Sequence, residues 1–178
     1  RMGDSFTTLA YTSTFYRPPV WVGQARNVSG GAEGRYQAIL FAIDTQIDEI
    51  VNGATAVRLS GTDLVAAGAQ PITDCAIHDQ GGGIVRLQVA FGSAVVMRHV
   101  NLLTNAVTVG TVSNDKLASI SGSLYASAIP SSANRWCGVR FVPYGSDPAT
   151  AANWSAITRV GWTTTDINSI ISVRGVPV

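Results

Sequence analysis

From Ile72 onward the chain is a succession of short β-branched segments separated by gaps too short for anything but a turn, and this spacing restricts the fold more than any other feature. The segments are ITDCAIH (72–78), IVRLQVAF (84–91), AVVMRHVNLL (94–103) and AVTVGTV (106–112), separated by Gly81-Gly82-Gly83, Gly92-Ser93 and Thr104-Asn105. A parallel crossover needs a dozen or more residues, so successive strands must be antiparallel neighbours joined by hairpins. Residues 116–129 and 135–144 continue in the same style around a turn at Pro130-Ser131-Ser132. Near the start, residues 6–16 are rich in Thr and aromatics and read as a strand, which Arg17-Pro18-Pro19 ends by removing two backbone donors.

One segment departs from this pattern. In residues 33–51 (EGRYQAILFAIDTQIDEIV), Tyr36, Ile39, Leu40, Ile43, Ile47, Ile50 and Val51 recur at three- and four-residue intervals, while Gln37, Asp44, Gln46, Asp48 and Glu49 take the other side. That period predicts an amphipathic helix, and Asn52-Gly53 would end it with a left-handed residue. Residues 62–67 predict one further helical turn capped by Thr62 or Asp63. Asp147-Pro148 predicts the start of a short helix reaching about residue 157. Residues 157–163 then read as strand, and so does the stretch holding Ile167, Ile170 and Ile171. No repeat shows at the periods of solenoids or propellers.

The expected fold is therefore mainly β. It is an antiparallel sandwich or jelly-roll-like arrangement with one flanking helix (33–51) and short helical turns; the alternative is an α+β fold with an antiparallel sheet. A length of 178 residues suits a single domain spanning 1–178. With 46% hydrophobic residues, a net charge of +1 and a mean hydropathy of +0.22, disorder is excluded. The longest apolar run, 38–43, is far short of the roughly 20 residues of a helical membrane span.

Each candidate for chemistry has a plainer explanation. Cys75 and His78 have a C-x-x-H spacing, but His99 and Cys137 are isolated, so the paired clusters of zinc motifs are missing. Cys75 and Cys137 could form a disulfide in an oxidising compartment; two buried thiols are the default. His78-Asp79 suggests a triad only if a nucleophilic serine is adjacent, and no G-x-S-x-G elbow occurs. His78 is expected at a strand end beside the Gly81 turn, and His99 as a solvated or hydrogen-bonded strand residue. Gly81-Gly82-Gly83 leads into a strand, which suits a hairpin rather than a phosphate loop. The carboxylates Asp44, Asp48, Glu49, Asp63, Asp74 and Asp79 would allow calcium binding, yet no calcium loop motif is present.

Charge adds a further constraint. Only 13% of residues are charged, and of the 12 basic residues all but Lys116 are Arg. The 36–79 block is acidic and both flanks are basic, so copies could complement one another; some of Asp44, Asp48 and Asp63 are expected to face arginines such as Arg17 or Arg140 of another copy. The chain starts at Arg1, which fits the removal or omission of a mobile basic arm, and nucleic-acid contact would then fall on Arg1, Arg17, Arg26 and Arg35.

Small uncharged side chains, a β-rich domain and no convincing catalytic cluster together lead to an expected self-assembling structural protein. It would be the shell domain of a small virus coat (capsid) protein, found in the virion as a homo-oligomer, without a cofactor, a metal or a membrane span. The alternatives are a secreted, extracellular β-sandwich carbohydrate-binding module using exposed Trp or Tyr, and an enzyme of unknown class.

Overall fold

The computed structural model describes residues 20–27, 34–51, 54–64, 70–81, 84–92, 95–102, 104–128, 137–161, 170, 172–173 and 176–177. The strand expected at 6–16 and the turns expected at 18–19 and 130–132 lie outside the described residues. Three four-stranded antiparallel meanders follow one another along the chain. The first comprises β1 (Val20–Asn27), β2 (Gly34–Ile43), β3 (Gln46–Val51) and β4 (Ala54–Leu59). The second comprises β5 (Asp74–Asp79), β6 (Val85–Ala90), β7 (Arg98–Asn101) and β8 (Val107–Val109). The third comprises β9 (Leu117–Ile120), β10 (Ser123–Ala128), β11 (Cys137–Val142) and β12 (Thr158–Gly161), and a two-residue ladder pairs β13 (Ser172–Val173) with β14 (Val176–Pro177). Within each sheet the strands lie in sequence order, so the described pairings contain no Greek-key crossover.

The helix expected at 33–51 is not formed. Those residues make the β2–β3 hairpin, in register from Ile39↔Ile50 to Ile43↔Gln46, with Asp44 at a φ of 50° in the turn. The continuous apolar run at 38–43 suits a strand covered on both faces, and short runs of this kind carry no period that separates helix from strand. Asn52-Gly53 lies between the paired residues Val51 and Ala54, where this dipeptide is a strong hairpin signal rather than a helix end.

Of the helical turn expected at 62–67, residues 65–67 lie outside the described residues; residues 60–64 form a single turn, closed by the Leu64 amide on the Ser60 carbonyl at 3.1 Å. At 60–64 the cap is Ser60, not Thr62 or Asp63. Its hydroxyl accepts the Asp63 amide at 3.2 Å, and the Asp63 carboxylate accepts the Ser60 amide at 2.8 Å, a reciprocal capping arrangement. Asp147 does take a free amide, that of Ala149 at 2.9 Å, but only one 3-10 turn follows, at Ala151–Asn153. The strand expectations between Ile72 and residue 161 hold in the described residues with altered bounds; of the strand expected around Ile167, Ile170 and Ile171, only Ile170 is described, and it is not in a strand. The β9–β10 connection is a two-residue loop in which Ser121 and Gly122 both have positive φ, 50° and 82°, the pattern that matches strand twist in a tight hairpin.

Two cores flank the middle meander. The first joins Leu40, Ala42, Ile47 and Leu59 of the first sheet to Cys75, Leu87, Val89 and Val100 of the second. The second core joins Ala76, Ala90 and Met97 to Leu117, Leu124, Ala126 and Val142 of the third sheet and to Trp154. Strand alternation explains this division, since successive residues of β5, β6 and β7 point to opposite faces. One carboxylate also bonds the second and third meanders: Asp74 accepts the Leu117 amide at 2.9 Å as well as the Cys75 amide at 2.8 Å. Burial raises its pKa, partly offset by those two amides.

Candidate functional site

The face of the middle sheet turned toward the third sheet carries a buried polar cluster. His78 of β5 lies opposite Arg86 of β6, and Gln88 of β6 lies opposite His99 of β7. His78, Gln88 and His99 are completely buried. Over them passes the segment that follows β11: His78 Nε2 is 3.1 Å from the Ser146 carbonyl, and Arg86 Nη1 is 3.8 Å from Asp147 Oδ1. His99 Nδ1 bonds Gln88 Oε1. Four polar atoms of this cluster, His78 Nδ1, Arg86 Nε, Gln88 Nε2 and His99 Nε2, are buried without a hydrogen-bond partner, and Asp44 Oδ1 is the fifth such atom among the described residues. Buried polar atoms in proteins are nearly always paired, so this concentration marks the face as special.

Burial dominates the electrostatics. It pushes His99 down to about 4 against the favourable charge of Asp147, with Arg86, Arg98 and His78 lowering it further. His78 is lowered for the same reason, while the Ser146 carbonyl, Asp79 and Asp147 oppose the shift. Both imidazoles are therefore neutral at pH 7. A carbonyl oxygen only accepts, so His78 donates from Nε2 and its Nδ1 is bare; His99 donates from Nδ1 and its Nε2 is bare.

This arrangement is not a triad. The partner of His78 is a backbone carbonyl rather than a hydroxyl. Cys75 and His78 face different cores, so the C-x-x-H spacing does not bring them to one ion, and among the described residues no three of His, Cys, Asp and Glu gather as metal ligands.

The other predicted residues are scattered. Arg1 and Arg17 lie outside the described residues, whereas Arg26 of β1 and Arg35 of β2 are directly opposite each other in the ladder. Cys75 is a free, buried thiol, pushed up to about 12 chiefly by burial, and the side chain of Cys137 lies outside the described residues. Of the carboxylates expected to face another copy, Asp48 is instead buried and accepts Gln46 Nε2 at 2.7 Å. Arg140 is likewise engaged internally, on Asn114 Oδ1 at 2.8 Å and the Ser113 carbonyl at 2.9 Å. Only Asp63 is exposed, and its carboxylate is held by Ser60.

Two surface features complete the survey. The edge strands β4 and β8 present Val57 (57% exposed) and Val109 (47% exposed) to solvent. Arg58, the extra residue at a bulge in β4, bonds the Leu102 carbonyl at 2.6 Å and Asn105 Oδ1 at 3.1 Å, which ties the β4 edge to the β7–β8 turn. On the third sheet Tyr125 and Phe141 are cross-strand partners whose rings stack at 5.5 Å, with Phe141 38% exposed.

No family model matches the chain, and neither a curated protein nor a solved structure matches it. Among the described residues no helix is long and apolar enough to cross a membrane. The buried cluster was missed in the sequence because Arg86-Leu87-Gln88-Val89 alternates like a strand with one wet face. The alternation signals which residues share a face, but only the covering segment at Ser146 and Asp147 shows that the polar face is also buried.

Proposed function

We propose that this chain is a self-assembling structural protein, the shell domain of a small virus coat, built as one layered β-sandwich. The observation that carries the reading is the edge of the second sheet. Strand β8 is uncharged, has Thr108 and Val109 exposed, and among the described residues no strand pairs with its outer side. Monomeric β proteins blunt such edges with a short strand, Lys, Pro or a bulge, and of these β8 has only its three-residue length. Here β4 has its bulge at Arg58, whereas the described pairing of β8 is regular. A net charge of +1 gives copies little mutual repulsion. The sharing of the middle sheet by two cores supports one domain over two. Arg26 and Arg35, opposite each other in register, support a basic point of contact for nucleic acid, with Arg1 and Arg17 as further candidates. The virion is the matching location.

Light scattering on the purified chain tests this reading. Large closed particles, disrupted by Val109→Lys, are the expected result. A strict monomer at every salt and pH would overturn it.

A second reading rests on the Tyr125–Phe141 pair. Exposed aromatic faces on a sheet can stack on sugar rings, so a secreted carbohydrate-binding module is the alternative from another class. A monomer whose tyrosine fluorescence or melting temperature shifts with a glycan would favour it, and Phe141→Ala would abolish the shift.

A further inference from the structure

We propose that His78 and His99 form an acid-operated latch between the second and third meanders: neutral His78 holds the segment at Ser146 and Asp147 against the middle sheet, and protonation of the two buried rings releases it.

The geometry sets what each proton would do. In the neutral state His78 contributes one bond across the layer, from Nε2 to the Ser146 carbonyl, and its Nδ1 has no partner. His99 contributes one bond within the sheet, to Gln88, and its Nε2 is pressed against Gly110, where even an added Cβ would collide with it. Protonation therefore creates two N–H donors that have no acceptor in place. A buried donor without a partner is costly, and a buried charge more so.

The surrounding charges determine the sign. From β5, His78 meets Asp79; from β6 comes Arg86; from β7 comes Arg98; from the segment after β11 comes Asp147. Arg86 already takes Asp147 at 3.8 Å, with that carboxylate 41% exposed. Two imidazolium ions would join Arg86 on one face with Asp147 as the carboxylate from the covering layer. Opening the layer hydrates all of them.

Linkage gives the pH window. A histidine released to water titrates near its ordinary value of about 6.5, while in the closed layer burial holds His99 down to about 4 and lowers His78. The open form binds more protons between those values, so closure is fully favoured above the ordinary value and is lost as pH falls toward the closed-state value. Each pH unit inside the window costs up to about tenfold in the closed-to-open ratio per histidine.

The test is hydrogen exchange of peptides covering residues 137–157 in the full chain, corrected for intrinsic rates, as pH is lowered from neutral to about 4. Wild type should lose protection at 143–150 before β2 and β3 do. The pair His78→Gln and His99→Asn keeps an N–H at the same ring position in each case but cannot titrate, and should retain protection through the window. Equal loss in the variant, or no loss in wild type, would overturn the latch. Should the variant fail to fold, nitrogen chemical shifts of the wild-type rings decide. Rings that titrate below the ordinary value in step with the exchange support the latch, and rings that titrate at the ordinary value overturn it.

Discussion

Arg140 lies over the ring of Trp154, its guanidinium carbon 5.1 Å from the ring centroid, while its Nε and Nη2 bond Asn114 Oδ1 at 3.1 and 2.8 Å. Asn114 in turn donates to Met97 Sδ at 2.7 Å, and Trp154 Nε1 donates to the Pro148 carbonyl at 2.8 Å. One side chain of the third sheet is thereby connected to the segment before the middle sheet's β7 and to the segment covering the histidines. Replacing Arg140 by Ala removes the stacking and leaves the buried Asn114 oxygen unpaired. The expected loss is about 2–4 kcal/mol in urea unfolding. Arg140→Lys should recover only part of it, because an ammonium cannot both lie flat on the indole and fork to Asn114. An Arg140→Ala variant as stable as wild type would show that stacking and fork contribute nothing.

Gly110 is required by space rather than by backbone angle. A Cβ there would meet His99 Nε2 and would stand 2.9 Å from the Met97 carbonyl oxygen. Gly110 also donates its amide to that carbonyl at 2.8 Å, so the backbone has no slack. Gly110→Ala should therefore destabilise the chain by about 1–3 kcal/mol, the usual cost of overpacking. In a double-mutant cycle with His99→Ala the two costs should be less than additive, since removing the ring removes one of the two clashes. Strict additivity would show that the ring and Gly110 are not in contact.

Cys75 should be chemically silent. Its thiol is buried in the first core and pushed up to about 12, mainly by burial and further by Asp74, so almost no thiolate exists at neutral pH. A thiol reagent should label it at the rate of global unfolding, and reductant should leave the urea midpoint unchanged. A midpoint that falls on reduction would establish the bridge to Cys137, which closes a long loop and would contribute a few kcal/mol.

The meanders from Ile72 onward were legible because their signal is local. A two- or three-residue separator admits only antiparallel neighbours, and Gly81 does turn β5 into β6, with Gln80 donating to the Ile84 carbonyl at 2.9 Å. Residues 33–51 misled for an equally physical reason. Leu40 and Ala42 of β2 enter the first core, and Ile43, of the opposite parity, is buried as well. A strand buried on both sides produces apolar residues at every spacing, including three and four. The deciding signals were weaker ones: the β-branched content, Asp44-Thr45 as a turn, and Asn52-Gly53 between strands. The polar cluster stayed hidden for a third reason. His78 and His99 are separated in sequence and become neighbours only through the pairing of β5 with β6 and β6 with β7.

Asp44 supplies a substitution whose sign separates the two conformations of this segment. In the hairpin it sits at a φ of 50°, a region where residues with a Cβ are disfavoured, and its Oδ1 is buried without a partner. Its backbone carbonyl accepts the Ile72 amide at 2.7 Å, a bond independent of the side chain. Asp44→Gly therefore relieves a strained conformation and removes an unpaired polar atom, at the expense of a more flexible unfolded chain. The expected change lies between neutral and about 1 kcal/mol of stabilisation. In the middle of a helix the same substitution would destabilise by about 1 kcal/mol, because glycine is among the poorest helix formers. Asp44→Val provides the opposite arm, since a β-branched residue at positive φ should cost more than 1 kcal/mol in the hairpin yet only a few tenths in a helix. Urea unfolding of the two variants checks both signs at once, and a less stable Gly variant together with a tolerated Val variant would overturn the hairpin.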